Sequence, residues 1–487
     1  MKDTAIYGVS SILGRFLNWC LVPMYTYLFP AEEYGIVTNL YAYVALVLII
    51  LIYGMETGFF RFANHDRWEN PTEVYSTSLI SLATTSSLFI LAVCLFSPEI
   101  ARALNCEESP SFIWMMGVTV GIDAFTAMPF SYLRYKHRPV RFATLKFVSI
   151  GLNIGLNLFF LLLCPVLWRE CPQTISWFYD PGFGVGYVFL SNLISSAAIL
   201  LLLLPELRVR YTFNGSLLKE MLVYSFPLLV LGVAGIMNQT IDKILYPFLV
   251  TDPVEAATQL GIYGANYKIA IVMVMFTQAF RFAYEPFIFA KGKQKDGEDK
   301  KRAYSDAMKY FIIFSLFIFL GVMFYLDVLK YFISPRYFSG LKVVPIIMMA
   351  ELFSGIFFNL SLWYKLTDKT IWGTWFALFG LAVTLVINVM FVPTYGYIAC
   401  AWAALACYGS MMAASYLVGR KKYPINYNLP RIGLYFVIAM ALYLVAVVAT
   451  TSSELLNFGI RAILLAIYII FVLKFEKPLS LLKKARA

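Results

Sequence analysis

Fourteen stretches of mostly apolar residues, most of them about twenty long, recur along this 487-residue chain, and nothing else narrows its fold as far. A helix of about twenty residues crosses roughly 30 Å of hydrocarbon, and only a helix or a closed barrel satisfies its own backbone there. The stretches run over 6–28, 36–58, 77–96, 112–133, 143–165, 183–204, 221–248, 261–284, 308–326, 343–364, 371–392, 396–418, 432–450 and 457–473. The seventh is interrupted by Asn238, Gln239, Asp242 and Lys243. Only 14% of the residues are charged, against about a quarter in a soluble domain. The expected fold is therefore all-α: a polytopic integral membrane protein of about 14 transmembrane helices. The first stretch contains Arg15 and lacks a small-x-small cleavage site, so it reads as a span and not as a signal peptide.

The net charge of +11 follows membrane topology, which argues against a nucleic-acid partner. With both termini placed in the cytoplasm, the inner segments hold 29 Lys or Arg. The outer loops hold five: Arg102, Arg169, Lys330, Arg336 and Lys342. Acids cluster in the outer loops at Glu32–Glu33, Glu107–Glu108, and Asp252 with Glu255. The polar segment from Lys291 to Arg302 reads as a solvated inner loop. The seven cysteines lack zinc or redox spacing; Cys164 and Cys171 flank one outer loop, where pairing in an oxidising compartment is one reading.

The chain carries an internal duplication. Asp123, near the middle of one apolar helix, and Glu351 lie 228 positions apart, and Tyr135–Lys136 and Tyr364–Lys365 lie 229 apart. YGIVTNLYAYVALV from Tyr34 resembles LGIYGANYKIAIVM from Leu260, and Asn157 matches Asn388. Six spans per copy is an even number, so both copies insert the same way round as parallel repeats. The expected organisation is a first lobe over 1–210, a second over 211–425, and a helix pair with a basic tail over 426–487, with a cavity between the lobes.

Five basic residues remain at membrane depth: Arg15, Lys243, Lys268, Arg281 and Arg461. Five acids accompany them: Glu56, Asp123, Asp242, Glu285 and Glu351. A charge at the bilayer centre costs roughly 2.5–3.5 kcal/mol on insertion scales, so such residues face a bundle interior or a wet cavity. Ser11, Arg15 and Asn18 share one face of the first span, a polar stripe suited to water or ligand. Arg281 has Gln278 and Glu285 on its face, and pairing with Glu285 is the plainer alternative. Arg461, near a span end, reads as snorkelling to the interface. Asp123 and Glu351 sit mid-span, where a carboxyl group is either protonated or paired with a cation. Pro23, Pro129, Pro227 and Pro345 fall inside spans and permit bends. No phosphate loop, dinucleotide fingerprint or metal-ligand cluster occurs, and no cofactor is implied.

Three stretches, IDAFTAMPFSYLRYKHRPVRFATLK, LGIYGANYKIAIVM with FRFAYEPFIFAKGK, and INVMFVPTYGYIACAWAALACYG, resemble bacterial polysaccharide flippases of the multidrug/oligosaccharidyl-lipid/polysaccharide exporter superfamily. The likeness extends in order over essentially the whole chain. It implies two six-helix lobes around a cationic cavity, with alternating access to the two membrane faces. It also implies transport of undecaprenyl-diphosphate-linked oligosaccharide across the bacterial inner membrane, for surface polysaccharide assembly. The family's cavity cations lie on spans 1, 2, 7 and 8. Here Arg15 (beside Asn18), Lys243 and Arg281 fit spans 1, 7 and 8, whereas span 2 offers Glu56 before Arg61 at the membrane edge. Arg15, Asn18, Lys243 and Arg281 are thus the expected diphosphate contacts. Asp123, Glu351, Asp242 and Glu56 are the expected coupling or gating groups, serving a proton or sodium ion.

Fourteen spans also resemble the lipid II flippases, whose last two helices are linked with the lipid tail. Drug or cation antiport on the same fold would favour an acidic, aromatic cavity. A membrane glycan polymerase or ligase typically needs a large outer loop with Arg or His, and the outer loops here reach only about sixteen residues.

Overall fold

The computed structural model describes residues 8, 13–64, 70–107, 109–292, 298–367 and 369–476. Among them, twelve helices are long and apolar enough to cross a membrane. The shorter apolar helix Gly186–Leu202 and the helical residues 13–19 with Val22–Leu28 fill the two remaining places. In chain order, α1 is 13–28, α2 Ala31–Ala63, α3 Pro71–Leu95, α4 Pro110–Tyr135 and α5 Pro139–Glu170. Next come α6 Gly186–Leu202, α7 Gly215–Leu249, α8 Pro253–Gly292 and α9 Glu298–Phe324. The last are α10 Pro335–Leu366, α11 Ile371–Tyr395, α12 Tyr397–Lys422, α13 Leu429–Val448 and α14 Glu454–Glu476. The protein is a multi-pass membrane protein. Ser11 and His65 lie outside the described residues, as do Glu108 and the loop residues 293–297; the same holds for the side chain of Glu285.

Proline and asparagine set where the helices begin. Pro71 and Pro110 occupy first-turn positions of α3 and α4, and Pro139 does so in α5, where the missing N–H costs no helical hydrogen bond. Asn70, Asn214 and Asn428 cap α3, α7 and α13 by accepting the backbone N–H of Thr72, Leu217 and Arg431. Two of the prolines expected inside spans behave the same way. Pro23 opens the second half of α1, and Pro345 opens the α-helical part of α10 after a 3-10 stretch over Pro335–Val343. Pro129 and Pro227 do lie within their helices, joined by Pro247 and Pro393. The helix α2 breaks where no proline stands: Tyr53 and Gly54 have φ of 34° and 74° and separate Ala31–Ile52 from Met55–Ala63. Ser225 on α7 packs into that break, donating its hydroxyl to the Gly54 carbonyl at 3.3 Å.

Contacts group the chain into two compact units, Met1–Gly264 with Thr384–Tyr397, and Ala265–Val383 with Ile398–Ala487. These boundaries differ from the repeat boundaries read at 210 and 425. The physical reason in the first unit is that α7 packs along α2 and α2 crosses the start of α8. A Cβ on Gly35 would stand 1.8 Å from the Ala257 carbonyl oxygen, and one on Gly261 would stand 1.8 Å from that of Ala31. Both partners are shifted by 226 positions, the offset of the sequence repeat, so the duplicated glycines form one pseudo-symmetric, backbone-to-backbone crossing. Small residues allow this approach in membrane helices.

In the second unit α13 and α14 pack on α9. Glu476, its side chain 3% exposed, accepts from Lys309 at 2.7 Å, Arg431 at 2.9 Å and the Tyr435 hydroxyl at 2.5 Å. At the far end of α14, Arg461 pairs with Asp327 at 2.5 Å. The arginine expected to snorkel therefore clamps the final helix to the chain after α9. Cys164 is buried and Cys171 exposed, both with free thiols, so the loop they flank is not bridged.

Candidate functional site

Arg15 and Asn18 are exposed side chains on α1, three residues apart and hence on one face. The helix carrying them ends at a turn at Cys20–Leu21, just ahead of Pro23, a break that divides the first span.

Lys243 is partnered by its neighbour in sequence. Its ammonium group lies 3.1 Å from each Asp242 carboxylate oxygen and donates to the Gln239 carbonyl at 2.9 Å. Tyr263 on α8 donates its hydroxyl to Asp242 at 2.7 Å, and Asn39 on α2 donates to the Lys243 carbonyl at 2.8 Å. Side-chain exposures of 12% and 7% make this a largely desolvated ion pair. Two residues expected in different roles, anion contact and coupling acid, thus compensate one another.

Glu56 follows the break in α2 and meets Arg134 of α4 at 2.9 Å, each side chain about one-third exposed. Arg134 also donates to Ser131 and stands 5.2 Å from the Phe60 ring centre. Asp123 accepts a hydrogen bond from Ser196 of α6 at 2.7 Å. The Lys146 ammonium of α5 lies 4.0 Å from the Phe130 ring centre of α4. Pro139 opens α5 and places Lys146 two turns inside the helix. A hydrogen-bonded file of polar side chains accompanies these charges. Tyr25 donates to Asn157 at 2.9 Å, Asn157 to the Asn153 carbonyl at 2.8 Å, Asn153 to Asn192 at 3.0 Å, and Asn192 to Tyr41 at 2.6 Å. The file links α1, α5, α6 and α2.

In the second unit, Glu351 of α10 is 8% exposed and accepts the Tyr267 hydroxyl of α8 at 2.5 Å. The two acids thus sit in different settings, Asp123 against a serine hydroxyl and Glu351 against a tyrosine hydroxyl. Arg281 is exposed, with its guanidinium 4.5 Å from the Phe358 ring centre, and the Lys365 ammonium lies 4.6 Å from the same ring. A ring quadrupole shared by two cations offsets part of their desolvation without consuming their hydrogen-bond donors. Sequence reading identified Arg281 but not its pairing with Lys365 through Phe358.

A family model described as polysaccharide biosynthesis protein matches residues 1–290. No curated protein matches the chain. Among solved structures, the lipid II flippase MurJ in an inward closed conformation aligns with a TM-score of 0.73 at 14% identity, covering 98% of this chain and 99% of that one. An inward-facing multidrug resistance MATE family transporter of the MOP superfamily aligns with a TM-score of 0.69 at 13% identity, covering 84% and 94%. A MOP superfamily transporter from Pyrococcus furiosus, described as having a binding pocket of reverse polarity, aligns at 0.56 and 14% identity, covering 86% and 95%. At these identities the likeness is one of fold, and it extends over the two final helices in the first case.

Proposed function

The chain belongs to the polysaccharide biosynthesis protein family, and we propose that it is a flippase for polyprenyl-diphosphate-linked oligosaccharide. The cargo moves from the inner to the outer leaflet by alternating access and feeds surface polysaccharide assembly. The protein sits in the bacterial inner membrane with both termini in the cytoplasm, the orientation favoured by 29 inner against five outer basic residues. The supporting observation is Arg15 with Asn18, exposed on an otherwise apolar span. A diphosphate must shed hydration to cross, and a guanidinium replaces that water with charge-assisted, bidentate hydrogen bonds. Arg281, with Lys365 beside the same ring, supplies cations of the same kind in the second unit. Lys243 contributes only once Asp242 releases it. Asp123 and Glu351 serve as coupling groups for a proton or sodium ion, and transport involves no catalytic chemistry.

A second reading, lipid II flipping, is favoured by the end-to-end alignment with a lipid II flippase. Deletion of the gene followed by analysis of lipid-linked intermediates separates the two. Cytoplasm-facing undecaprenyl-diphosphate oligosaccharide should accumulate, with peptidoglycan synthesis unchanged. Accumulation of lipid II would overturn the first reading, and normal levels of both would overturn each.

A further inference from the structure

The hydrogen-bonded file from Tyr25 to Tyr41 is closed at one end and open at the other. Asn157 is fully buried; it accepts from Tyr25 and donates to the Asn153 carbonyl, which fastens α1 to α5. At the far end Asn192 donates both amide hydrogens, to Tyr41 at 2.6 Å and to the Val188 carbonyl at 2.8 Å, while its oxygen accepts from Asn153. Tyr41 is 36% exposed, and as it only accepts there, its own hydroxyl hydrogen stays open among the described residues. Ser196 follows Asn192 by one helical turn, roughly 6 Å along α6, and donates to one oxygen of the half-buried Asp123 at 2.7 Å. The second Asp123 oxygen accepts no hydrogen bond from the described residues and is not sealed from solvent. One face of α6 therefore holds a free donor from α2 and a free acceptor from α4, about the width of a pyranose ring apart. Open polar groups on membrane spans face water or a ligand, because lipid cannot satisfy them.

The open end lies beside the expected diphosphate contacts. A Cβ on Gly14 would stand 2.8 Å from the Ile150 side chain, so α1 meets α5 next to Arg15. Asn153, which donates to Asn192, is three residues beyond Ile150 and on the same face of α5. In a glycosyl diphosphate the first sugar is bonded directly to phosphate, so phosphate held at Arg15 brings that ring to this file. The chemistry of the handles narrows the ligand further. A metal cation needs several acceptors, and here one free carboxylate oxygen stands among amide and phenol hydrogens. A phosphate is repelled by Asp123. A neutral polyol suits both handles, since each of its hydroxyls donates and accepts. We propose that Tyr41 and Asp123, positioned by Asn192 and Ser196, bind the first, uncharged sugar ring of the cargo. Tyr41 donates to one ring hydroxyl and Asp123 accepts from another. This rests on the reading of the cargo as a lipid-linked oligosaccharide, and it gives the amino-terminal unit a sugar subsite beside its diphosphate contact.

Three probes test it on the purified full-length protein: undecaprenyl diphosphate, the same lipid carrying a single glucose, and methyl glucoside alone. Native mass spectrometry gives the affinity of the two lipids, and saturation-transfer NMR reads the free glucoside. Glucose should tighten lipid binding about tenfold in the wild type, and Tyr41→Phe and Asp123→Asn should each lose about threefold or more of that gain. Tyr41→Phe should leave binding of the sugar-free lipid unchanged, whereas Arg15→Ala should weaken both lipids. If Asp123→Asn fails to fold, Tyr41→Phe decides alone, since it removes a single oxygen atom. A wild type that gains nothing from glucose, or a gain undiminished in either variant, overturns the sugar subsite. The flippase reading survives that result if Arg15→Ala still weakens both lipids. Glucoside binding that is lost in Tyr41→Phe, with neither lipid bound by the wild type, keeps the subsite and removes the flippase reading. Failure of all three probes to bind overturns both.

Discussion

Replacing Gly261 by alanine should force α2 and the start of α8 apart. The new Cβ would stand 1.8 Å from the Ala31 carbonyl oxygen. Ordinary contact begins at about 3.5 Å, so the two backbones must separate by roughly 1.7 Å. Overpacking typically costs about 1–3 kcal/mol, and a carbonyl held in a helix cannot rotate aside as a side chain can, which puts the cost near the top of that range. About 3 kcal/mol corresponds to roughly a 100-fold shift toward the separated arrangement. Thr38 reports on it, because its side chain lies under Gly264, where a Cβ would meet its hydroxyl at 2.4 Å. With the seven native cysteines replaced, Thr38→Cys should react with a maleimide roughly 100-fold faster in the Gly261→Ala background, measured in detergent. Gly35→Ala should act alike, and the double variant should cost less than the sum, since one separation relieves both clashes. Unchanged labelling and unchanged thermal stability would refute the backbone crossing.

Three further outcomes follow from other parts of the chain. Arg15→Ala should abolish surface glycan without lowering protein level, whereas Arg15→Lys should keep partial function; full export by the alanine variant would reduce the residue to a structural role. Glu476→Ala leaves Lys309 and Arg431 without their shared carboxylate, which should destabilise the packing of α13 and α14 on α9 by about 3–5 kcal/mol. Thermal melting of the purified protein checks this, and an unchanged midpoint would show that the clamp is dispensable. Cys106 lies in the loop before α4, where burial pushes its thiol up to about 11. Since the thiolate is the nucleophile, its alkylation should rise about tenfold per pH unit from pH 8 toward 11, and a plateau by pH 9 would contradict the burial.

Much of this architecture was legible in the chain because it is local. A span needs only enough consecutive apolar residues, and its start needs only a proline or an asparagine cap, as at Asn70–Pro71. That the equivalent glycines Gly35 and Gly261 stand opposite each other came from the structure, because equivalence in a repeat does not require contact. The break at Tyr53–Gly54 was less visible, since a left-handed tyrosine has no marker in sequence and the Gly54 carbonyl beside it is met by Ser225 from a distant helix. Charge pairing was the least legible. Arg134 and Glu56 are 78 positions apart, Asp123 and Ser196 are 73 apart, and Tyr267 and Glu351 are 84 apart. The sequence by itself determined that charged groups must be satisfied inside an apolar protein. Which partner each one meets was decided only by the rotation and crossing of the helices, set by side-chain packing along their whole length.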